Sequence, residues 1–303
     1  MRGLAKLAMR GPLIASLLIA VFALLALFFG PALLISGGLL GLVTLRQGAL
    51  AGLRTLLVAG TLCAAAMVAL NGRLGIAAMA IAAAWMPVWG ACLTLHRTRQ
   101  QGQAVVNIGI CVMVYAALMR FANPDVNAFW RGRLTVLGEL VEAEGGQFLS
   151  ADQIQTYGNL MHTASVALLY IGFTGMLMLA RGWQAQLYNP GGFGTEFRNF
   201  VLPRWVLPIG ALAAACNTIL NWVGAAGGLA QDAMIVLLLM FAVQGLAVLH
   251  AVCLAREMNR AWLGGVYLLL GLAPHVAIPI LATTGIADVV VDFRRRVRPN
   301  AGG

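Results

Sequence analysis

Ionisable side chains are scarce in this chain, and almost all of them fall between uncharged stretches long enough to cross a bilayer. The runs 13–29, 55–70, 74–95, 104–119, 161–180, 205–226 and 233–255 contain no Asp, Glu, Lys or Arg. A hydrocarbon core is about 30 Å thick and a helix rises about 1.5 Å per residue, so about 20 apolar residues span it. The runs are continuously apolar instead of alternating, which argues against a closed β-barrel. With 61% hydrophobic residues, a soluble protein of 303 residues would lack a polar coat. The pattern predicts an all-α, polytopic transmembrane helix bundle, with 1–303 forming a single integral membrane domain.

The net charge of +10 acquires meaning from its distribution. With the N-terminus in the cytoplasm, sixteen of the twenty basic residues fall inside, and only Arg73, Arg120, Arg131 and Arg133 fall outside. The positive-inside rule favours that orientation, and the basic loops attract anionic membrane lipids. No basic patch is interleaved with aromatics, so nucleic acid is not an expected partner. Arg2, Lys6 and Arg10 precede an apolar run from Pro12, and no small-residue cleavage site follows before Gly30-Pro31. The start therefore reads as a retained signal anchor. The cysteines (Cys63, Cys92, Cys111, Cys216, Cys253) lie within apolar segments without a ligand spacing and read as small core hydrophobes.

About eight spans are expected. Residues 11–45 are uncharged, about 52 Å if helical, and Gly30-Pro31 breaks them into a hairpin of 13–29 and 31–45. Spans at 49–70 and 74–95 turn outside at Asn71-Gly72-Arg73, and 104–121 crosses outward. The segment 122–159 then forms an external interfacial helix opened by Asn123-Pro124. A capping box at Ser150–Gln153 opens the next span. Residues 182–204 form a cytoplasmic loop, and 205–226 and 229–255 complete the count. The stretch 261–287 is uncharged but interrupted by Pro274 and Pro279. A broken or re-entrant hairpin there keeps the basic tail 288–303 cytoplasmic. Small residues four apart, namely Gly37/Gly41, Gly48/Gly52, Ala65/Ala69, Ala80/Ala84, Ala211/Ala215 and Gly224/Gly228, are expected to pack helices within the bundle.

Polar groups inside a membrane are costly and are functional candidates by default. The threading gathers Tyr115, Arg120, His162, Ser165, Asn217, Asn221 and Asp232 in the outer half. They form a candidate substrate-binding layer of amides, a hydroxyl, an imidazole and opposite charges. The same residues also fit headgroup placement and ordinary interhelical hydrogen bonds. Gln244 and Asn107 read as interhelical bonding groups. The loop residues Tyr188, Asn189, Pro190, Gly191, Gly192 and Phe193 form a turn cluster that is a candidate partner-binding loop. No HExxH, phosphate loop, GxSxG or paired acidic motif is present. The chain reads as neither an enzyme nor a holder of metal or cofactor.

The stretch 31–53, PALLISGGLLGLVTLRQGALAGL, carries an LRxG…AGL pattern, followed by LYNPGGFGTEFRNFVLPRW and the ending GIADVVVDFRRR. In these segments the chain resembles the YybS-like family of multi-pass bacterial membrane proteins, a domain of unknown function. That family is in turn similar, at the level of fold, to the S-components of energy-coupling-factor vitamin transporters. The resemblance implies a compact bundle in a bacterial inner membrane, with an outward-opening small-molecule site. S-components meet their partner through small residues four apart in the first helix, a spacing from which Ala15, Ala20, Ala23 and Ala26 depart. The expected function is transporter-like binding of a small or amphiphilic solute, or of a lipid, from the external side. The alternative is a noncatalytic scaffold engaging a cytoplasmic protein through its inner loop and basic tail. A cysteine placed at position 99 is expected to react with an impermeant thiol reagent only from the cytoplasmic face, and one at position 144 only from the outside.

Overall fold

The structure, a computed structural model, describes residues 2–71, 74–224, 227–259, 261–292 and 294; for 67, 70, 71 and 74–83 only the backbone is described. Among the described residues the regular secondary structure is all helical, without strands. The helices are α1 (Arg2–Ala8), α2 (Pro12–Leu25), α3 (Ala32–Gln47), α4 (Ala49–Asn71), α5 (Leu74–Thr98), α6 (Gln101–Ala122) and α7 (Val126–Ala143), followed by α8 (Ala151–Tyr188), α9 (Gly192–Arg198), α10 (Val206–Trp222), α11 (Leu229–Ala255), α12 (Ala261–Leu272) and α13 (Pro274–Val291). Among the described residues, five segments are long and apolar enough to cross a membrane: Ala49–Ala66 of α4, and α6, α8, α11 and α13. The helices α2, α3, α10 and α12 are apolar but shorter. The expected turn at Gly72-Arg73, the partner Ala80 of Ala84, and Arg260, Arg295, Arg296 and Arg298 lie outside the described residues or side chains.

Contacts divide the chain into two compact units, one of Met1–Ile108, Ile171–Arg204 and Met240–Gly303, the other of Gly109–Tyr170 and Trp205–Leu239. In the first unit α3 is buried on every side, from Ser36 through Leu45 without interruption. Its glycines make that possible. A Cβ on Gly37 would run into Met176, one on Gly38 would meet Leu179 and Trp183, and one on Gly41 would meet Ala180 and Cys92. The Gly37/Gly41 pair thus packs α3 against the later half of α8, as small residues in membrane bundles do. Gly52 on α4 also packs closely, since a Cβ there would run into Thr44 of α3 and Trp89 of α5, but the remaining small residues behave differently. Gly48 ends α3 with φ 91°, and Gly224 and Gly228 also adopt positive φ, so these serve turns. Ala65, Ala69, Ala211 and Ala215 are exposed or only partly covered.

Hydroxyl and indole bonds lace this core. Ser36 Oγ donates to the Ile19 carbonyl at 2.8 Å and accepts from Trp85 Nε1 at 3.1 Å, joining α2, α3 and α5. Ser16 Oγ donates to the Thr55 carbonyl, and Trp89 Nε1 to that of Ala49. Each places a polar atom between apolar helices without leaving it unbonded.

Several expected boundaries move. The helix after Asn123-Pro124 starts two residues later, because Asp125 Oδ1 accepts from Ala128 N at 2.9 Å and so occupies the N-cap. Asn123 instead bonds back to the Met119 carbonyl at the end of α6. The Ser150–Gln153 capping box forms in both directions. The helix it opens, α8, runs for 38 residues, about 57 Å. It continues past Arg181 to Tyr188, since nothing before Asn189-Pro190-Gly191 stops it. The segment 182–204 is therefore helical for most of its length, as the end of α8 and as α9.

The awkward C-terminal stretch resolves as α12 and α13, which break at Ala273-Pro274. Tyr267 of α12 lies 3.2 Å from His250 Nε2 of α11. Arg294, just past α13, donates to the carbonyls of Arg198 and Phe200 and shares a surface cleft with Ala251, Val252 and Ala255. The chain thus leaves the end of α11, runs back along it, and returns to the same end. Where α11 and α13 cross, a Cβ on Gly245 would collide with the Leu281 carbonyl and one on Gly285 with the Phe241 carbonyl. Gly285→Ala should therefore destabilise the protein by about 1–3 kcal/mol, read as a lower unfolding midpoint in detergent. Gly271→Ala, where nothing lies within 4 Å of the added carbon, should leave the midpoint unchanged.

Candidate functional site

In the second unit, parts of three helices bring five of the expected residues together. Tyr115 and Arg120 come from α6. His162 and Ser165 lie three apart on α8, hence on one face. Asp232 sits in the first turn of α11, where its charge also complements the helix N-terminus. Asp232 is fully buried and His162 is 2% exposed.

The carboxylate is the hub. Arg120 grips it with two parallel bonds, Nε to Oδ2 at 2.6 Å and Nη2 to Oδ1 at 3.0 Å. This fork is the strong, geometrically specific form of the pair. His162 Nε2 lies 3.2 Å from Oδ2. Because a carboxylate only accepts, that contact places the hydrogen on Nε2. His162 Nδ1 is buried and has no hydrogen-bond partner among the described residues. Beside it, Ser165 Oγ donates to the His162 carbonyl at 2.7 Å and lies 3.2 Å from Tyr115 Oη. Since the serine hydrogen is engaged, Tyr115 is the donor in the second contact. The Tyr115 and His162 rings lie near-parallel at 6.5 Å.

Chemically this is a closed ion pair with one unused position. Asp232 is not a free base, because three donors converge on its two oxygens. The unused capacity belongs to His162 Nδ1. Asn217, half-buried, and Asn221, exposed, lie on α10; among the described residues no hydrogen bond joins either to the cluster.

At the turn cluster, Tyr188 ends α8 with the Arg46 guanidinium 4.1 Å above its ring. Asn189, Pro190 and Gly191 are exposed, Gly191 at φ 85°, and Gly192 and Phe193 open α9. Phe193 stacks on Phe197.

Two further polar clusters, both in the first unit, were not anticipated as sites. Asp288, 3% exposed, accepts from Arg294 Nη2 at 2.6 Å and from Gln244 Nε2 at 2.9 Å. Gln244 Oε1 in turn accepts from Leu202 N at 3.0 Å. Glu196 is paired with Arg181, which also donates to Gln184, and accepts from Gln101 Nε2. The rule that flags an ionisable residue in an apolar run applies to Asp288 as it did to Asp232. Glu196 carries no such signal, because it lies on α9 in a polar stretch of the sequence.

Removing one partner of a buried ion pair typically costs about 3–5 kcal/mol, whereas replacing both by apolar groups is often neutral. Arg120→Met alone should therefore lower the unfolding midpoint sharply, and the double variant Arg120→Met/Asp232→Leu should recover most of the loss. No family model, curated protein or solved structure matches this chain.

Proposed function

We propose that the chain is a transporter-like integral protein of a bacterial inner membrane. It binds a small or amphiphilic solute at the Tyr115–Arg120–His162–Ser165–Asp232 cluster, reached from the external side. One observation carries this reading. Inside helices apolar enough to span a bilayer, a fully buried carboxylate is held by an arginine and a histidine whose second ring nitrogen is left unbonded. Ionisable groups at membrane depth are expensive, and proteins keep them for solute, ion or proton handling.

In this reading Arg120 and Asp232 fix the three helices in register and hold His162 through Nε2. Its Nδ1 then meets the solute, and Asn217 and Asn221 on α10 are additional contacts. The arginine-rich connections hold the N-terminus in the cytoplasm. The α12–α13 segment acts as a re-entrant pair, since α12, at 12 residues or about 18 Å, is too short to cross.

A second reading, a scaffold, is favoured by one feature: the exposed turn Tyr188–Gly191 at the end of a long helix, with Tyr188 43% exposed. One experiment separates the two. Native mass spectrometry of the full chain in detergent is expected to show a small molecule retained on the wild type. Retention should fall at least tenfold in His162→Ala and in Asn217→Ala/Asn221→Ala, each checked for an unchanged unfolding midpoint. An empty wild type, or equal retention in the folded variants, would reject solute binding at this cluster and leave the scaffold.

A further inference from the structure

We propose that the crevice between the α5–α6 corner and the segment following α9 binds the headgroup of an anionic phospholipid. This site is separate from the cluster around Asp232. The crevice encloses about 510 Å³, and its lining includes Arg99, Gln101, Gly102, Glu196, Val201 and Arg204.

Its charge is positive once the pairs are counted. Glu196, the acid in the lining, is answered by Arg181 and by Gln101 Nε2 at 3.2 Å. Arg99 and Arg204 are exposed and form no ion pair among the described residues. The backbone adds donors. The first helical bond of α6 runs from Ala104 N to the Gln100 carbonyl, so the N–H groups of Gln101, Gly102 and Gln103 have no acceptor within the helix. A helix start of this kind favours an anion. Close approach builds the wall: the Val201 carbonyl stands where a side chain on residue 102 would begin, so only glycine fits.

Gln101 narrows the ligand further. It is 7% exposed, and its Oε1 has no hydrogen-bond partner among the described residues. The bond from Nε2 to Glu196 fixes which end of the amide is the oxygen. A bare phosphodiester would leave this buried acceptor unmet. A phosphodiester that also carries a hydroxyl would satisfy it, with the anion on Arg99, Arg204 and the α6 amides. Phosphatidylglycerol has that chemistry. Val201, 51% exposed, offers an apolar surface for the acyl end, which points to a lipid source for the phosphate. The charge-based threading places 96–103 and 182–204 at the cytoplasmic face, where anionic headgroups concentrate.

The test titrates the purified full chain with phosphatidylglycerol by native mass spectrometry in detergent. Arg99→Gln/Arg204→Gln should bind about tenfold more weakly than wild type. A charge-matched control, Arg10→Gln/Arg54→Gln, should bind like wild type. The wild type should prefer phosphatidylglycerol to phosphatidylmethanol, which has the same charge and no hydroxyl, and Gln101→Met should lose that preference. Glycerol 3-phosphate should not compete. Equal binding by wild type and Arg99→Gln/Arg204→Gln would overturn the site, as would an equal loss in the charge-matched control. No preference for the hydroxyl-bearing lipid in the wild type would overturn the role of Gln101. Competition by glycerol 3-phosphate would overturn the lipid as the source.

Discussion

A carboxylate withdrawn from water among apolar helices has to be answered by protein, as the buried Asp232 and Asp288 show, and the partly exposed Glu196 is answered in the same way. Asp232 is held by Arg120 and His162, Asp288 by Arg294 and Gln244, and Glu196 by Arg181 and Gln101. Each acid takes one arginine and one further side-chain donor, and each cluster joins segments remote in sequence. Desolvation makes an unanswered charge costly, so these contacts restrict which helices stand together more than they add net stability. They therefore bear on specificity of assembly. In two of these clusters one polar atom, His162 Nδ1 or Gln101 Oε1, is left without a hydrogen-bond partner among the described residues.

Close backbone approach is the other constraint. In lipid, apolar surface has little drive to leave its surroundings, so contact area between helices matters more than burial from water. Gly37 and Gly41 on α3 admit Met176 and Ala180, and Gly245 and Gly285 bring α11 and α13 into backbone contact. Gln244 and Asp288 flank that crossing, so a small-residue contact and a polar network reinforce one another. That combination explains how the 18-residue α13, preceded by the 12-residue α12, is held against α11.

Much of the helical framework was legible in the residues themselves. Charge-free runs, the Gly30-Pro31 break and the Ser150–Gln153 box each act within a few residues, and each appears in the structure. The start of α7 was misread by two residues because Asn123 and Asp125 are both good caps, and which one bonds forward depends on how α6 ends. The charge pattern does not reveal the continuation of α8 to Tyr188, because a charge such as Arg181 marks a membrane boundary without stopping a helix. Five of the seven candidate layer residues were brought together, and the two asparagines of α10 were not bonded to them. A four-residue spacing places two side chains on one face without stating what that face meets.

By itself the sequence determined that this chain is helical and apolar enough to cross a membrane several times, because both properties follow from composition and local order along the backbone. It also marked Arg120, His162 and Asp232, since an ionisable group in an apolar run is conspicuous wherever it folds. Only the tertiary structure decided that one guanidinium and one imidazole converge on the same carboxylate, that Gly245 and Gly285 share a crossing, and that Arg294 closes on Asp288. Those pairings join residues tens to more than a hundred positions apart or depend on the turn that brings them round. Their partners are set by the packing of whole helices, which no local pattern encodes.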